Sequence, residues 1–282
     1  MKVGSEERKL RCKAKISKLV KHARNSWISQ RGLGKNIAFE VTRPGFSPIL
    51  YSGLTKRLKA ILYPETEENP MYKSHQDRAR KAKYYKPSAQ KKENVCGVSG
   101  AEHGKRVHQQ IDYYFKRLKE NKNLTIEECF PNETYDKCAK NILSVLSIKG
   151  WSIVATEFPI SDDACRVATA IDILAYDSQK GNLLLLEVKT GYESEEYGVH
   201  QNDKGFPSPF HKIANCPRNR HMLQLMGMKE LLQKQYQVTI DEAYIVRVLP
   251  RCKSKVTLIS MSKWCYAHVN RTNLYEMLRE SN

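Results

Sequence analysis

The chain has 282 residues, a mass of 32.5 kDa and a formal charge of +18, which leaves room for one large domain or two smaller ones around a sizeable core. So basic a chain suggests a polyanionic partner, usually nucleic acid, and no segment has the apolar length to span a membrane. Cysteines at 12, 96, 129, 138, 165, 216, 252 and 265 form no Cys-x-x-Cys pair, and the charged N-terminus lacks an apolar run, so free thiols in a reducing compartment, nucleus or cytoplasm, are expected rather than secretion.

The charge is uneven. Residues 1–95 hold 23 Lys/Arg against 8 Asp/Glu, so most of the excess is N-terminal. This divides the chain into a basic, mainly helical N-terminal region, 1–95, suited to touching nucleic acid, and an α/β (α+β) core, 96–282. Residues 5–24 carry Lys or Arg at 8, 9, 11, 13, 15, 18, 21 and 24, with Leu10, Ile16, Leu19 and Val20 in loose helical spacing. A basic amphipathic helix is expected there, lying on phosphates, acting as a nuclear address, or forming a solvated arm. Turn-forming glycines and prolines punctuate 25–53, and a short helix over 52–62 ends before Pro64. A second basic run, 73–92, contains Arg80, Lys81 and Lys83 beside Tyr84 and Tyr85. Basic residues with interleaved aromatics suit a single-stranded or frayed nucleic acid, and equally a solvated linker.

From residue 97 the pattern tightens. Val107, Ile111, Tyr114, Phe115 and Leu118 recur at helical spacing over 100–118, and a second helix covers 139–148. Strands follow at 151–159 and 166–176, then a turn at 177–182 and a strand at 182–189, the last two strands forming an antiparallel hairpin. Residues 191–217 read as a long polar loop, 220–235 as a Met- and Leu-rich helix, 244–249 and 256–260 as strands, and 264–279 as a closing helix.

The chemistry gathers on the hairpin. Leu183–Leu186 is a continuous apolar run, as in a strand buried on both faces, and it leads into Glu187-Val188-Lys189. Side chains alternate along a strand, so Glu187 and Lys189 share a side. Charges there must pair with each other, bind an ion or do chemistry. On the partner strand, alternation puts Val167, Thr169, Ile171 and Ile173 on one face and Ala168, Ala170 and Asp172 on the other. Asp172 and Glu187 on neighbouring strands would make a site for a hard divalent cation, Mg²⁺ or Mn²⁺, to which the Val188 carbonyl adds an oxygen. Lys189 beside them would orient or activate a water, or stabilise charge on a phosphate.

Asp172 followed by Glu187-Val188-Lys189 resembles the signature of the PD-(D/E)XK nuclease superfamily. Gly104-Lys105-Arg106-Val107-His108 is similar to the Gly-x-x-x-His motif of its RecB-like and phage lambda exonuclease-like branches, Ala170-Ile171-Asp172 to their Gly-x-Asp with alanine for glycine, and Gln224 to their Gln-x-x-x-Tyr, with Met228 at the tyrosine position. The resemblance covers about residues 97–250. It implies a restriction-endonuclease-like core, a central mixed sheet flanked by helices. It implies metal ligation by His108, Asp172, Glu187 and Val188, and catalysis by Asp172, Glu187, Lys189 and Gln224. Glu157 on the preceding strand is a further candidate for the acidic cluster. Lys105, Arg106, Arg80, Lys81, Lys83 and Tyr84 would contact nucleic acid. The expected protein is a Mg²⁺- or Mn²⁺-dependent deoxyribonuclease acting on duplex ends or single strands. An exonuclease is preferred, with an endonuclease of the same fold or a non-catalytic nucleic-acid-binding protein as alternatives. An iron–sulfur cluster is not expected, because only Cys252 and Cys265 lie late and without close spacing. Zinc at His211, Cys216 and His221 is equally weakly supported.

Overall fold

The computed structural model describes residues 3–24, 27–31, 38–62, 100–130, 135–190, 206, 210, 211, 213, 215–249, 255–268 and 274–281. Eight strands make one mixed sheet: β1 (Trp27–Arg31), β2 (Ala38–Thr42), β3 (Ile49–Gly53), β4 (Trp151–Asp162), β5 (Val167–Asp177), β6 (Asn182–Thr190), β7 (Glu242–Leu249) and β8 (Lys255–Ser260). Helices flank it: α1 (Val3–Arg24), α2 (Leu54–Leu62), α3 (Gly100–Glu120), α4 (Ile126–Cys129), α5 (Lys137–Ile148), α6 (Pro217–Gln235), α7 (Met261–His268) and α8 (Leu274–Glu280). The strand order is β1-β2-β3-β5-β6-β7-β8, with β4 also on β5. The β3–β5 and β6–β7 pairings are parallel and the others antiparallel.

The leucine run of β6 is buried on both faces, as its composition requires. Leu183 and Leu185 enter one core with α2, α6 and α8, whereas Leu184 and Leu186 enter the other with α3 and α5. Each is fully buried, which stabilises the fold by roughly 2 kcal/mol per leucine. The hairpin turn is built by Asp177, whose Oδ1 accepts from the backbone N–H groups of Gln179 and Lys180, while Gly181 adopts φ +73°. Asp136 caps α5 by accepting from Cys138 N, and Thr125 with Glu128 forms a capping box on α4.

The N-terminal stretch differs from the mainly helical extension expected of it. It contributes the β1–β2–β3 meander as well as α1 and α2. These strands escape the apolar-period signal because each has five residues, of which β1 holds Ser29, Gln30 and Arg31, and β2 holds Glu40. β3 lies parallel to β5, with Ser52 opposite Val167 and Gly53 opposite Ala168. Leu54, Leu58 and Leu62 recur every four residues on α2 and pack in the same core as Leu223 and Leu231 of α6. The basic helix α1 buries Cys12 and Leu19 in that core and leaves Arg8, Lys9, Lys13, Lys18 and Lys21 exposed. It sits across the β5–β6 turn, where Arg8 lies against Gly181, and it is tied to the α6–β7 connection: Lys15 pairs with Asp241 at 3.0 Å and Lys18 donates to Gln237 at 2.8 Å. The closing helix expected over 264–279 is described as two helices, α7 and α8. Among the described residues, no helix is long and apolar enough to cross a membrane.

Candidate active site

The site is set by a gap in the sheet. β4 lines one edge of β5 from Val167 to Asp177. On the other edge, β3 pairs with Val167 and Ala168, and β6 pairs with Ile173 to Asp177. Residues 169–172 lie between, where β5 and β6 part. Asp172 ends this stretch, and its Oδ2 accepts from the Val188 backbone N–H at 2.7 Å. In an extended strand the N–H and C=O of one residue point to the same side, so the Val188 carbonyl faces the fork as well.

The strict alternation expected along β5 breaks at this point. Ile171 packs in the α6-side core and Ile173 in the α3-side core. Opposite Asp172, between the pairs Thr156–Ile173 and Phe158–Ile171, lies Glu157 with φ +45°. A non-glycine residue in the left-handed region costs about 1–3 kcal/mol and persists only where its surroundings impose it. The kink re-aims both strands, and Glu157 and Asp172 meet His108 of α3. His108 Nδ1 lies 2.9 Å from Glu157 Oε1 and 3.7 Å from Asp172 Oδ1. The ligand atoms of these three residues all lie within 4.8 Å of one another.

Gly104 explains how α3 comes so close. A Cβ there would stand 3.1 Å from Thr190 Oγ1 at the end of β6, tighter than ordinary van der Waals contact. One helical turn later, His108 reaches the fork. The cleft between α3 and the sheet is about 470 Å³, lined by Gly104, Lys105, His108, Gln109, Glu157 and Lys189 among others.

Glu187 and Lys189 project to the α6 side. Glu187 is 1% exposed, and its Oε1 accepts from Lys189 Nζ at 2.5 Å and from Gln224 Nε2 at 2.8 Å. The ion pair is therefore present, yet Oε2 of the same carboxylate has no hydrogen-bond partner among the described residues. An unpartnered buried carboxylate oxygen is costly.

The electrostatics follow from burial and crowding. Burial, then the neighbouring Asp172, pushes the Glu187 carboxyl well above the usual range, against the pull of Lys189. Burial also raises Asp172, with His108 and Lys189 opposing it. For His108 burial is the largest single influence and acts downward, but Asp172, Glu157 and Glu187 outweigh it and lift the imidazole to about 9. His221 on α6, one turn before Gln224, goes the other way: burial, then Lys189 and Arg220, lower it to about 3, so it stays neutral beside the lysine.

The chain matches no protein-family model and no curated protein.

Gly104 and His108 of α3 and Asp172, Glu187, Val188 and Lys189 of the hairpin lie at or beside the fork. His108, Asp172 and Glu157 form one tight group, while Glu187, Lys189 and Gln224 form a second, and Glu187 is not a member of the first. Lys105 lines the cleft, whereas Arg106 is half-buried and is not in its lining. Arg80, Lys81, Lys83 and Tyr84, and most of the loop 191–217, lie outside the described residues. His211, Cys216 and His221 do not gather their ligand atoms as the group at the fork does. The other such group among the described residues, His103, Asp136 and Cys138, caps a helix. Asp136 takes the Cys138 N–H on one oxygen and His103 Nε2 on the other, at 2.8 Å, tying α3 to α5. Gln109 and Asp112 line the cleft and His221 lies near Lys189, and no motif marks them. Their only signal is position, at i+4 from Lys105, i+4 from His108 and i−3 from Gln224.

Proposed function

We propose that this protein is a Mg²⁺- or Mn²⁺-dependent deoxyribonuclease of the PD-(D/E)XK type, and an exonuclease working at DNA ends in preference to an endonuclease. The observation that carries the reading is the meeting, at one fork between β5 and β6, of His108 from α3, Asp172 from β5 and the Glu187–Lys189 pair from β6. The preference for ends comes from the resemblance of Gly104 and His108 to the motif of end-processing branches.

The donor set fits a hard cation. It is rich in carboxylate oxygen, with one imidazole beside it, and Glu187 keeps a buried oxygen without a partner among the described residues. Asp172, Glu187 and the Val188 carbonyl would hold the ion, with His108 and Glu157 adjoining it. When bound, such a cation polarises a phosphoryl oxygen and lowers the pKa of water. The chain's own residues supply the rest. Lys189, fixed by Glu187, presents an ammonium to the water and to the charge that grows on the phosphate. Gln224 holds Glu187 in place from α6. Glu157 and Asp172 keep His108 oriented by its Nδ1. Hydrolysis joins the water oxygen to phosphorus as the bond to the departing sugar oxygen breaks.

The test is cleavage of end-labelled linear DNA and covalently closed circles with Mg²⁺ or Mn²⁺. Mononucleotide release from linear DNA with circles untouched is expected. Cutting of circles would select an endonuclease of this fold. Metal-independent binding without turnover, with Asp172→Ala and Lys189→Ala indistinguishable from wild type, would sink the enzyme reading in favour of a binding protein.

A further inference from the structure

Beyond the cleft, α3 presents a second feature. Tyr113 is 47% exposed, one turn past the cleft-lining Gln109. Its ring is backed by Phe130 at 5.7 Å and 59°, and Phe130 stacks on Tyr135 at 3.8 Å and 16°. Three aromatic rings thus run in series from the exposed Tyr113 to the half-buried Phe130 and Tyr135, which back it. A solvent-exposed ring with a rigid backing is costly to leave wet and gains by stacking.

Two arginines flank it. Arg106 and Arg117 lie at i−7 and i+4 on the same side of α3, with Lys116 beside them; the acidic residues of that side are Asp112, paired with Lys116 at 2.7 Å, Glu120 and, further back along the helix, Glu102, while Lys119 turns away to lie over the Phe115 ring. His108 and Tyr113 are five residues apart, about 7.5 Å along the helix. The same five residues turn Tyr113 about 140° around the helix from His108, so its ring stands at the side of the cleft face, next to Gln109.

We propose that Tyr113 is a stacking platform for a base of single-stranded nucleic acid at the rim of the cleft. The occupant is single-stranded because a duplex hides its base faces, whereas an unpaired or terminal base offers one, and the basic flanks take its phosphates. The proposal rests on the nuclease reading for what brings a strand to the cleft. It adds that the substrate is frayed or single-stranded next to the scissile phosphate.

The experiment uses the full chain with a chelator present, so that binding is read without turnover. Labelled oligodeoxythymidylate, its ribo counterpart and a blunt duplex are titrated against wild type, Tyr113→Ala, Tyr113→Leu, Tyr113→Phe and Tyr113→Trp. The Ala and Leu variants are expected to bind the single strands about ten-fold more weakly, while Phe and Trp hold wild-type affinity and duplex binding is unchanged. Leucine keeps apolar bulk without a π face, so its loss separates stacking from packing. Ala and Leu variants that bind single strands as wild type does would overturn the platform and leave the nuclease reading intact. A wild type that binds the duplex but neither single strand would overturn the platform alone, and one that binds no nucleic acid would overturn both. Loss of affinity at Tyr113 in a protein that never cleaves would leave the platform standing and remove the enzyme.

Discussion

The Val188 amide donates to the Asp172 carboxylate across 2.7 Å, one residue beyond the end of the β5–β6 ladder on β5 and two beyond it on β6, the last pair being Ile173 and Leu186. A side chain has replaced the partner strand's backbone. The contact props the fork open and holds one acid at its base.

Asp172→Asn keeps an acceptor for that amide and removes the charge. Its fold should survive, with a melting temperature close to wild type, while nuclease activity is lost. Lys189→Ala should lower kcat by about 10²–10³-fold, the usual cost of deleting one group that stabilises transition-state charge. Product release from labelled duplexes, with circular dichroism as the control for folding, checks both. A fully active Asp172→Asn would place the chemistry elsewhere.

Metal binding should depend on pH. His108, lifted to about 9, must shed its proton to act as a ligand, and the raised carboxyls of Asp172 and Glu187 must do the same. In the metal-free protein a raised histidine stabilises fully below its unfolded value of 6.5, and that stability is lost as pH rises through about 9. Raised carboxyls act in the same direction, since the folded state binds protons the unfolded state has released. The metal-free protein should therefore melt lower as pH increases above neutrality, and the gain in melting temperature on adding Mg²⁺ should be larger under alkaline than acidic conditions. Thermal melts with Mg²⁺ and with chelator at several pH values measure this. A gain independent of pH would argue against these groups as the ligands.

Glu230 offers a test away from the fork. Burial raises its carboxyl from 4.5 to about 7, although it accepts from the Tyr275 backbone N–H at 2.6 Å. Because the folded value is the higher one, its contribution is full below 4.5 and is lost by about 7. Glu230→Gln retains an acceptor and never ionises. It should match wild type in acid and exceed it above neutrality by about 1 kcal/mol, or a few degrees in melting temperature.

Gly181→Ala should destabilise by about 2 kcal/mol. The position has φ +73°, and a Cβ would stand 2.8 Å from Arg8 Cβ on α1, so the turn and the basic helix cannot both keep their places. Chemical denaturation measures the loss. An unaltered midpoint would mean that α1 yields easily and is not anchored at the turn.

Much of the fold was legible in the sequence because the signals were periodic or compositional. The leucines 183–186 announced a doubly buried strand, and Val107, Ile111 and Phe115 announced the buried face of α3. The β1–β3 meander was not legible, since strands this short and this polar carry little apolar alternation and are ordered by pairing with one another and, through β3, with β5. The candidate site was legible as residue types and spacing, but not as geometry. Alternation alone put Ile171 and Ile173 on one face, and only the positive φ of Glu157 opposite Asp172 shows why they part. The pairing of Gln224 with Glu187 joins residues on different elements and leaves no local trace.

The parallel seam between β3 and β5 has a consequence for how the chain reaches this state. Ser52 and Val167 are neighbours in space but distant along the chain. During synthesis the first strands and α2 must wait, apolar faces uncovered, until β5 has left the ribosome and α6 has followed to cover Leu54 and Leu58. Such distant pairings slow folding, because the loop-closure entropy is lost before the contact is gained. Refolding should accordingly be slow and prone to aggregation at high concentration, and the vulnerable surface in that interval is the leucine stripe of α2 rather than the charged helix ahead of it.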